Sequence, residues 1–319
     1  MGQTGAPMNR SSGAAAPPSR LERRTLRSWR VRRQRFRGWL FVLPALLMYG
    51  VFVLQPLFLT IQYSFYSWDG ITAATWVGFS NYARVFTDAD LLGTIFNSFR
   101  LLVFFSLLPV GLGLVTASLM HRVAADRFGS IARSVIFLPQ VIPLVAAGII
   151  WRWLLSLPGL VNQVLDWFGL GGIARAWLGD FDTALPAVGM IGVWVLLGFC
   201  TVLLQTGMAK INPELYEAAR LDGAGWWAEL RAVTIPGIRY ELGVCLTVTA
   251  IAALAAFDIV YVSTGGGPGR ATSVPGIKIY IEAFLQRRVG LASALAVVLM
   301  CLVLAVILPI QRLSRETSE

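Results

Sequence analysis

The sequence has few of the residues from which most active sites are built. It holds one histidine, His121, and three cysteines, Cys200, Cys245 and Cys301, which lie in apolar runs without disulfide or metal-ligand spacing. We expect the cysteines to be small core residues and His121, at a helix end, to lie at an interface. No nucleophile, general base or metal cluster is evident, so the sequence predicts neither an enzyme acting alone nor a metal site.

A glycine-rich run at residues 265–269 lacks the rest of a nucleotide-binding motif. It reads Gly-Gly-Gly-Pro-Gly, is not followed by Lys-Ser or Lys-Thr, and has no predicted strand before it. We therefore predict a tight turn here, and no nucleotide bound by this chain.

Charged residues are also scarce. They make up 14% of the chain, whereas 56% of the residues are hydrophobic and the mean hydropathy is +0.66. A chain of 319 residues with this composition is too apolar for a soluble domain and long enough for several membrane spans. Residues 1–39 hold ten arginines against one glutamate, so the net charge of +10 indicates membrane topology and not nucleic-acid binding. We predict an all-α polytopic membrane protein.

Six apolar stretches have the length that a helix needs to cross a bilayer. The first follows paired arginines, but its 26 uncharged residues exceed the apolar core of a cleavable signal peptide, so we expect it to remain as a span. Asp258 interrupts the fifth stretch. The predicted spans are residues 40–65, 101–120, 134–151, 184–208, 242–262 and 289–310.

The distribution of lysine and arginine predicts how these spans are oriented. Segments on the side of the N-terminus hold 10, 3, 4 and 2 of them, and segments on the other side hold 1, 1 and 4. The positive-inside rule therefore places both termini and the loop around Glu217 in the cytoplasm. The third outer loop fits this rule poorly, because it carries Arg270, Lys278, Arg287 and Arg288.

The same features divide the chain into regions. The predicted regions are a disordered basic cytoplasmic arm at 1–38, a first transmembrane helix at 39–66, a core at 67–310 with a polar loop at 211–236, and a cytoplasmic tail at 311–319.

The polar loop begins with strong helix-start signals. Asn212 can cap a helix, Pro213 suits the first helical position, and Glu214 and Glu217 favour the positive end of the helix dipole. We predict that a short helix starts here.

The same loop continues with stop signals. Gly223 is a natural C-terminal stop, and a second short helix at 226–233 must break near Pro236. The loop is therefore predicted to fold as a helix, a glycine turn and a helix.

The spacing within this loop resembles the cytoplasmic coupling loop of type I ABC importer permeases. Their pattern is Glu-Ala-Ala, three residues, Gly, nine residues and Ile-x-Leu-Pro, and here it reads Glu217-Ala218-Ala219, Gly223 and Val233-Thr234-Ile235-Pro236. Short matches from about residue 40 to 310, such as Gly-Phe-Ser-Asn-Tyr at 78–82 and Phe-Asp-Ile-Val-Tyr at 257–261, resemble bacterial sugar-type permeases of the maltose and glycerol-phosphate kind. The alternative for the loop is an ordinary amphipathic interfacial helix.

The resemblance implies the fold, the function and the partners. It implies six transmembrane helices with a cytoplasmic coupling helix, forming a permease subunit of an ATP-driven, binding-protein-dependent importer of the bacterial inner membrane, with a carbohydrate as cargo. The implied partners are a second permease subunit, a cytoplasmic ATPase dimer that binds ATP and Mg, an extracytoplasmic solute-binding protein and membrane lipid, with no cofactor in this chain. The residues implied in coupling to the ATPase are Glu217, Ala218, Ala219, Asp222, Gly223 and Pro236.

The resemblance further implies that the spans on either side of the coupling loop line the substrate path. Trp194 and Phe199 suit a carbohydrate, because aromatic faces stack on sugar rings. On a continuous helix Thr249, Ala253 and Ala256 form a stripe roughly opposite Asp258, so the two faces are alternatives unless the helix breaks between them. The candidate path residues are Trp194, Phe199, Thr249, Ala253, Ala256, Asp258 and Tyr261.

Asp258 is the one carboxylate within the predicted spans, and two interpretations of it stay open. Because lipid exposure of a charge would cost about 3 kcal/mol or more, Asp258 could border a hydrated path on the helix face of Leu254 and Tyr261. Alternatively it lies near the outer interface and pairs with Arg270, Lys278 or backbone amides. In a rival function, a secondary transporter or channel, Asp258 would carry a proton or cation.

Overall fold

The computed structural model describes Gly2, residues 41–123 and residues 127–315. The predicted basic arm at 1–38 lies outside these residues, apart from Gly2. The chain divides into two units, Met1–Phe58 and Leu59–Glu319. Helices dominate the described residues, and the strands among them form one short hairpin.

The first helix, α1, is Phe41–Tyr63. Its 23 residues reach a mean hydropathy of 2.0, none of them is buried, and a π-helical turn at Gly50–Leu54 continues the helix without a break. About 20 apolar residues suffice to cross the hydrocarbon core of a bilayer, so α1 confirms the first predicted span.

The second unit contains the end of α1, a hairpin and the remaining helices. In the hairpin, β1 (Tyr66–Ser67) pairs antiparallel with β2 (Thr75–Trp76). The helices are α2 (Ser80–Thr87), α3 (Ala89–Leu102, a π-helical turn at Val103–Leu107, and Leu108–Val123), α4 (Arg127–Val141), α5 (Leu144–Leu154), α6 (Leu160–Trp167), α7 (Ala184–Met208), α8 (Pro213–Leu221), α9 (Trp226–Gly237), α10 (Arg239–Leu254), α11 (Asp258–Ser263), α12 (Pro275–Tyr280, with a π-helical turn at Ile281–Leu285) and α13 (Val289–Arg315).

Six spans can be counted among the described residues. Four helices, α1, α3, α7 and α13, are each long and apolar enough to cross a membrane. Two pairs pass the same test together, although each pair is bent at a short break, α4 with α5 by 98° and α9 with α10 by 78°. With each bent pair taken as one span, the all-α fold with six spans agrees with the sequence prediction.

The bounds of three predicted spans can be compared directly. Helix α7 coincides with the predicted span 184–208, and α13 extends past the predicted end at 310 to Arg315. Helix α3 begins at Ala89, well before the predicted start at 101, because the Asp88 carboxylate caps it by accepting a hydrogen bond of 2.9 Å from the Asp90 N–H. The predicted start was too late because it was based on the length of the apolar run and did not consider Asp88 as a helix cap.

The third and fifth spans are each divided into two helices. Helix α4 ends at Val141, and α5 follows Pro143, which has no N–H to offer a helix. Helix α10 ends at Leu254, and α11 starts at Asp258, so residues 255–257 separate two helices inside the predicted span 242–262. Asp258 therefore does not continue the helix face of Leu254, but lies in the first turn of α11.

Close helix packing holds the core of the second unit. Its largest buried cluster combines side chains of α3, α7 and α11, including Leu101, Ile191 and Val260. The backbones of α4 and α7 are in close contact at Gly198. The carbonyl oxygen of Ile136 occupies the position that a Cβ atom of residue 198 would take, so only glycine fits there. Close approach of two helix backbones at a small residue is typical of helices that pack inside a bilayer.

The cysteine prediction holds for two of the three residues. Cys200 and Cys245 are buried in one apolar cluster, but Cys301 is exposed on α13, so its placement in the core was wrong. An apolar run cannot distinguish the core from the outer face of a membrane helix, since lipid is as apolar as the core.

The glycine-rich run forms the predicted tight turn after α11. Gly265, Gly266 and Gly269 have φ values of +63°, +94° and +56°, a region that residues with a side chain adopt rarely.

Candidate functional site

The polar loop folds as its local signals predict. The Asn212 side chain accepts a hydrogen bond of 3.1 Å from the Glu214 N–H, and Pro213 occupies the first position of α8. Helix α8 ends at Leu221, and Gly223 turns the chain with φ at +82°. Helix α9 then begins at Trp226 and runs through Pro236 to Gly237, slightly beyond the predicted break. The prediction of a helix, a glycine turn and a helix is confirmed.

Two side-chain contacts fasten α8 to α9. The Tyr216 and Thr234 hydroxyls lie 3.2 Å apart, and the Arg220 Nε donates to Glu229 Oε1 over 2.8 Å. The Glu229 side chain is 6% exposed, and its hydrogen bond and charge raise the pKa of the Arg220 guanidinium. Helices α8 and α9 therefore form one structural unit.

The same unit contacts the nearby end of α3. The Trp226 Nε1 donates to the Ser118 hydroxyl over 2.9 Å, and the His121 ring lies 5.8 Å from the Tyr216 ring. These side chains and Glu217 border a cavity of about 280 Å³ beneath α8. His121 thus lies at an interface, as predicted.

Beside this loop, an ion pair connects the residues that follow α7 to the first turn of α10. Lys210 Nζ lies 2.8 Å from Glu241 Oε1, and the bond raises the pKa of Lys210. Glu241 can lie against α7 because Gly207 has no side chain at that point.

The outer surface of α8 and α9 is exposed and partly apolar. The predicted coupling residues Glu217, Ala218, Asp222, Gly223 and Pro236 are exposed, and Ala219 is half-buried. The sequence prediction did not include three large apolar residues of the same unit. Their exposed fractions are 54% for Leu215, 89% for Leu221 and 65% for Trp227. These three exposed side chains add apolar area to the surface of α8 and α9.

A second candidate site is a cavity of about 490 Å³ between the two helix breaks. Residues 140–144, at the α4–α5 break, form one side of it, and residues 255–259, at the α10–α11 break, form another. Gly192 and Leu196 of α7 contribute to its apolar wall. Its polar lining groups include the Gln140 amide, whose buried oxygen has no hydrogen-bond partner, and the exposed carboxylate of Asp258.

The structure separates the predicted path residues into two groups. Ala256 and Asp258 both line the cavity. On a continuous helix these two residues would lie on different faces, but the helix breaks after α10, so both can face the same cavity. Thr249 and Ala253 are fully buried, and the Thr249 hydroxyl lies 2.8 Å from that of Ser106. Both lie outside the cavity lining.

The three aromatic candidates also lie outside the cavity lining. Trp194 is half-buried with its ring 5.5 Å from that of Trp151, edge to face. Phe199 packs beside the cluster of Cys200 and Cys245. Tyr261 is 46% exposed and stacks on Phe257, a cavity residue, at 5.1 Å. A role for all seven candidates in the substrate path stays a prediction.

Both ion-pair partners considered for Asp258 are engaged elsewhere. Arg270 pairs with Asp90, and Lys278 Nζ lies 3.8 Å from Glu282 Oε1. Across residues 41–123 and 127–315, Asp258 has no ion pair with a basic side chain. Its carboxylate is therefore available to the cavity.

The sequence of this chain is similar to a family of known proteins. The family model described as "Binding-protein-dependent transport system inner membrane component" matches residues 110–316. The probable ABC transporter permease protein YurN of Bacillus subtilis is 33% identical over 84% of this chain and 92% of its own length. The trehalose/maltose transport system permease protein MalF of Thermococcus litoralis is 31% identical over 84% of this chain and 90% of its own length.

A solved structure shows the same fold. A crystal structure of a bacterial alginate ABC transporter, in complex with an alginate pentasaccharide-bound periplasmic protein, contains a chain that is similar with a TM-score of 0.77 and 21% sequence identity. The match covers 91% of this chain and 98% of that one.

Proposed function

The chain belongs to the family of binding-protein-dependent transport system inner membrane components, and from this premise we propose that it imports a carbohydrate, driven by a separate ATPase that docks on α8. The observation that carries the proposal is the exposed surface of α8 and α9. It combines the coupling residues, such as Glu217 and Ala218, with the exposed apolar side chains of Leu221 and Trp227.

The ATPase subunit would bind ATP and Mg and cover this surface. Small Ala218 and Ala219 let a partner approach the helix closely, Leu221 offers apolar area, and Glu217 and Asp222 offer charge. Because Arg220 and Tyr216 fasten α8 to α9, a displacement of α8 would carry α9 with it. Helix α9 leads into α10, at whose far end the cavity lies.

Alternating access follows from this connection. Closure of an ATPase dimer would move the unit of α8 and α9 as a rigid body and tilt α10 and α3 with it, which would open the cavity toward a loaded binding protein. ATP hydrolysis would return the spans to the inward-facing state. In this orientation the coupling surface and both termini are cytoplasmic, as the positive-inside rule predicts.

The cavity chemistry supports a carbohydrate. The Gln140 amide and the Asp258 carboxylate can hydrogen-bond hydroxyl groups, and Phe257 offers an aromatic face for a sugar ring. The named substrates of the relative from Thermococcus litoralis and of the alginate transporter are carbohydrates as well.

Two further partners belong to the proposal. A second permease subunit, forming a heterodimer with this chain, would complete the path on the open side of the cavity. An extracytoplasmic solute-binding protein would deliver the substrate, in line with the family description and with the periplasmic protein present in the alginate complex.

Uptake in membrane vesicles tests this function. The full transporter is expressed from the genes adjacent to this one, and uptake of labelled oligosaccharides is measured with ATP inside the vesicles, with and without a protonophore. We expect uptake that requires ATP, resists the protonophore, and is abolished by Glu217→Lys or Gly223→Pro at normal membrane levels. Asp182→Lys, an exposed charge reversal at the other end of α7, serves as the matched control and should transport normally.

The same experiment distinguishes the rival function. A secondary transporter would lose uptake with the protonophore and in Asp258→Asn, and would tolerate Glu217→Lys. Wild-type uptake by Glu217→Lys and Gly223→Pro would overturn the coupling assignment.

A further inference from the structure

A cleft of about 400 Å³ lies at the end of the spans opposite to α8. The hairpin, α2 and the start of α13 form its walls. Three arginines, Arg84, Arg287 and Arg288, line it, against a single carboxylate, that of Asp69. Two of these arginines come from the loop that departs from the positive-inside rule, so topology does not account for them.

The walls of this cleft are fixed to one another. The Gly290 N–H donates to the Trp68 carbonyl over 3.3 Å, and the carbonyl oxygen of Tyr66 occupies the place of a Cβ on Gly290. The Asn81 amide donates to the carbonyls of Ser64 and Tyr66, over 2.9 Å in each case. The arginines are thus attached to a preformed frame.

Basic side chains outnumber the carboxylate in the cleft. The Asp69 Oδ1 accepts from the Ile71 and Thr72 N–H groups, over 2.9 and 2.7 Å, and these bonds lower the pKa of Asp69, so its ionised carboxylate offsets one of the three arginine charges. Arg288 lies 3.7 Å from the buried Glu282. In the part of the chain that the structure describes, no carboxylate lies within 4.0 Å of Arg84 or Arg287.

Arg287 has an unusual backbone. Its φ is +53°, and among the described residues it is the one residue other than glycine with a positive φ. A residue with a side chain adopts this conformation at a cost, and such strain is concentrated at functional sites. Glycine would fit here without strain, so the presence of arginine indicates a use for its side chain.

The cleft lies at the start of a candidate membrane span. Val289, directly after Arg288, begins α13, which has a mean hydropathy of 3.0. Phe284 and Leu285, just before the arginines, are 72% and 66% exposed. Basic side chains that follow exposed apolar side chains in the chain, at the end of a membrane span, match a phospholipid with an anionic headgroup and apolar acyl chains.

We propose that this cleft binds the headgroup of an anionic phospholipid, with Arg84 and Arg287 holding the phosphate and Phe284 and Leu285 contacting the acyl chains. The planar guanidinium group donates two parallel hydrogen bonds to a phosphate. This pairing favours an anionic headgroup over a zwitterionic one, because the phosphate of a zwitterionic headgroup is already balanced by the cation of the same headgroup. The bound lipid would fix the hairpin and α2 to the start of α13.

The test is native mass spectrometry of the purified full chain in detergent, titrated with dioleoylphosphatidylglycerol or dioleoylphosphatidylcholine. We expect the wild-type chain to retain phosphatidylglycerol preferentially, and each arginine removed by Arg84→Gln or Arg287→Gly to weaken its binding about fivefold, the factor for one basic residue at an anionic surface. Arg287→Gly removes the side chain without backbone strain, so its loss of lipid cannot be ascribed to misfolding. Arg287→Lys keeps the charge but not the paired donors, so its binding should lie between that of the wild type and that of Arg287→Gly. Arg175→Gln, an exposed arginine elsewhere, should change nothing.

Three results would overturn the proposal. Equal retention of phosphatidylglycerol and phosphatidylcholine would show that the headgroup charge is not recognised. Unchanged phosphatidylglycerol binding in both Arg84→Gln and Arg287→Gly would show that the cleft is not the site. Displacement of the lipid by an equimolar amount of glycerol 1-phosphate would show a site for a soluble anion instead. If these variants bind lipid normally but fail to respond to the solute-binding protein, the arginines belong to a protein docking surface.

Discussion

Arg220 Nε lies 2.8 Å from Glu229 Oε1, and this ion pair joins α8 to α9 across the turn at Gly223. Glu229 is buried and Arg220 is half exposed, so the ion pair connects a surface guanidinium of α8 to a buried carboxylate of α9. Together with the contact of Tyr216 to Thr234, the pair prevents α8 from sliding on α9.

The first prediction concerns this ion pair. Arg220→Gln removes the ion pair that joins α8 to the buried Glu229 of α9, and we expect uptake and the ATPase response to the binding protein to fall several-fold at normal membrane levels. The double variant Arg220→Glu with Glu229→Arg exchanges the two charges and should restore part of the uptake and part of the ATPase response. Arg231→Gln, which removes an exposed arginine of α9 without an ion pair in the described structure, is the control. A charge exchange no better than either single variant would contradict the rigid connection.

The second prediction concerns the cavity. Ala256→Trp places a large ring in the space between the two helix breaks, so we expect it to abolish uptake, whereas Ala256→Ser should transport normally. Asp258→Asn keeps the hydrogen-bonding shape, and its uptake should stay within about twofold of wild type. The measurement is initial uptake rate against substrate concentration in ATP-loaded vesicles. Full activity of Ala256→Trp would remove this cavity from the substrate path.

The third prediction concerns the contact between α4 and α7. Gly198→Ala pushes a methyl group into the Ile136 carbonyl, and since backbone cannot yield easily, we expect it to destabilise the protein by about 1–3 kcal/mol. Gly111→Ala, on α3 with no atom within 4 Å of the added carbon, is the control, and helix propensity should leave it as stable as the wild type or up to about 1 kcal/mol more stable. Thermal unfolding in detergent measures both. An unchanged midpoint for Gly198→Ala would mean that the two helices do not touch as described.

The fourth prediction concerns orientation. In a background with Cys200, Cys245 and Cys301 replaced by alanine, single cysteines at Thr87 and Gly172 should react with an impermeant maleimide from outside, and one at Ser314 only after permeabilisation. Position 172 is preferred to 171, where the Asp166 carboxylate occupies the space of a new side chain. Labelling of Ser314→Cys in intact cells would reverse the proposed topology.

Some features follow from local chemistry and could be predicted from sequence. The start of α8 depends on Asn212 and Pro213, and its end on Gly223, and each of these acts on its immediate neighbours in the chain. Helix α7 needed only an uninterrupted apolar run of sufficient length, and its bounds were predicted to the residue. The family pattern is likewise a matter of spacing along the chain.

Two features could not be derived from local sequence, the position of the break in the fifth span and the surroundings of Cys301. Residues 255–257 contain no proline or glycine, and Asp258 was the one sign that this stretch is interrupted. The exposure of Cys301 depends on which face of α13 packs inward, and an apolar run is equally apolar on both faces.

The amino-acid sequence by itself determined the spans, the coupling helix and the family, because hydropathy, capping and motif spacing act over short stretches of chain. Only the tertiary structure decided that Gln140 shares a cavity with Asp258, that Arg220 neutralises Glu229, and that Arg84 lies in one cleft with Arg287. These side chains meet because helices break and pack at particular angles, and that geometry results from contacts between segments far apart in the chain.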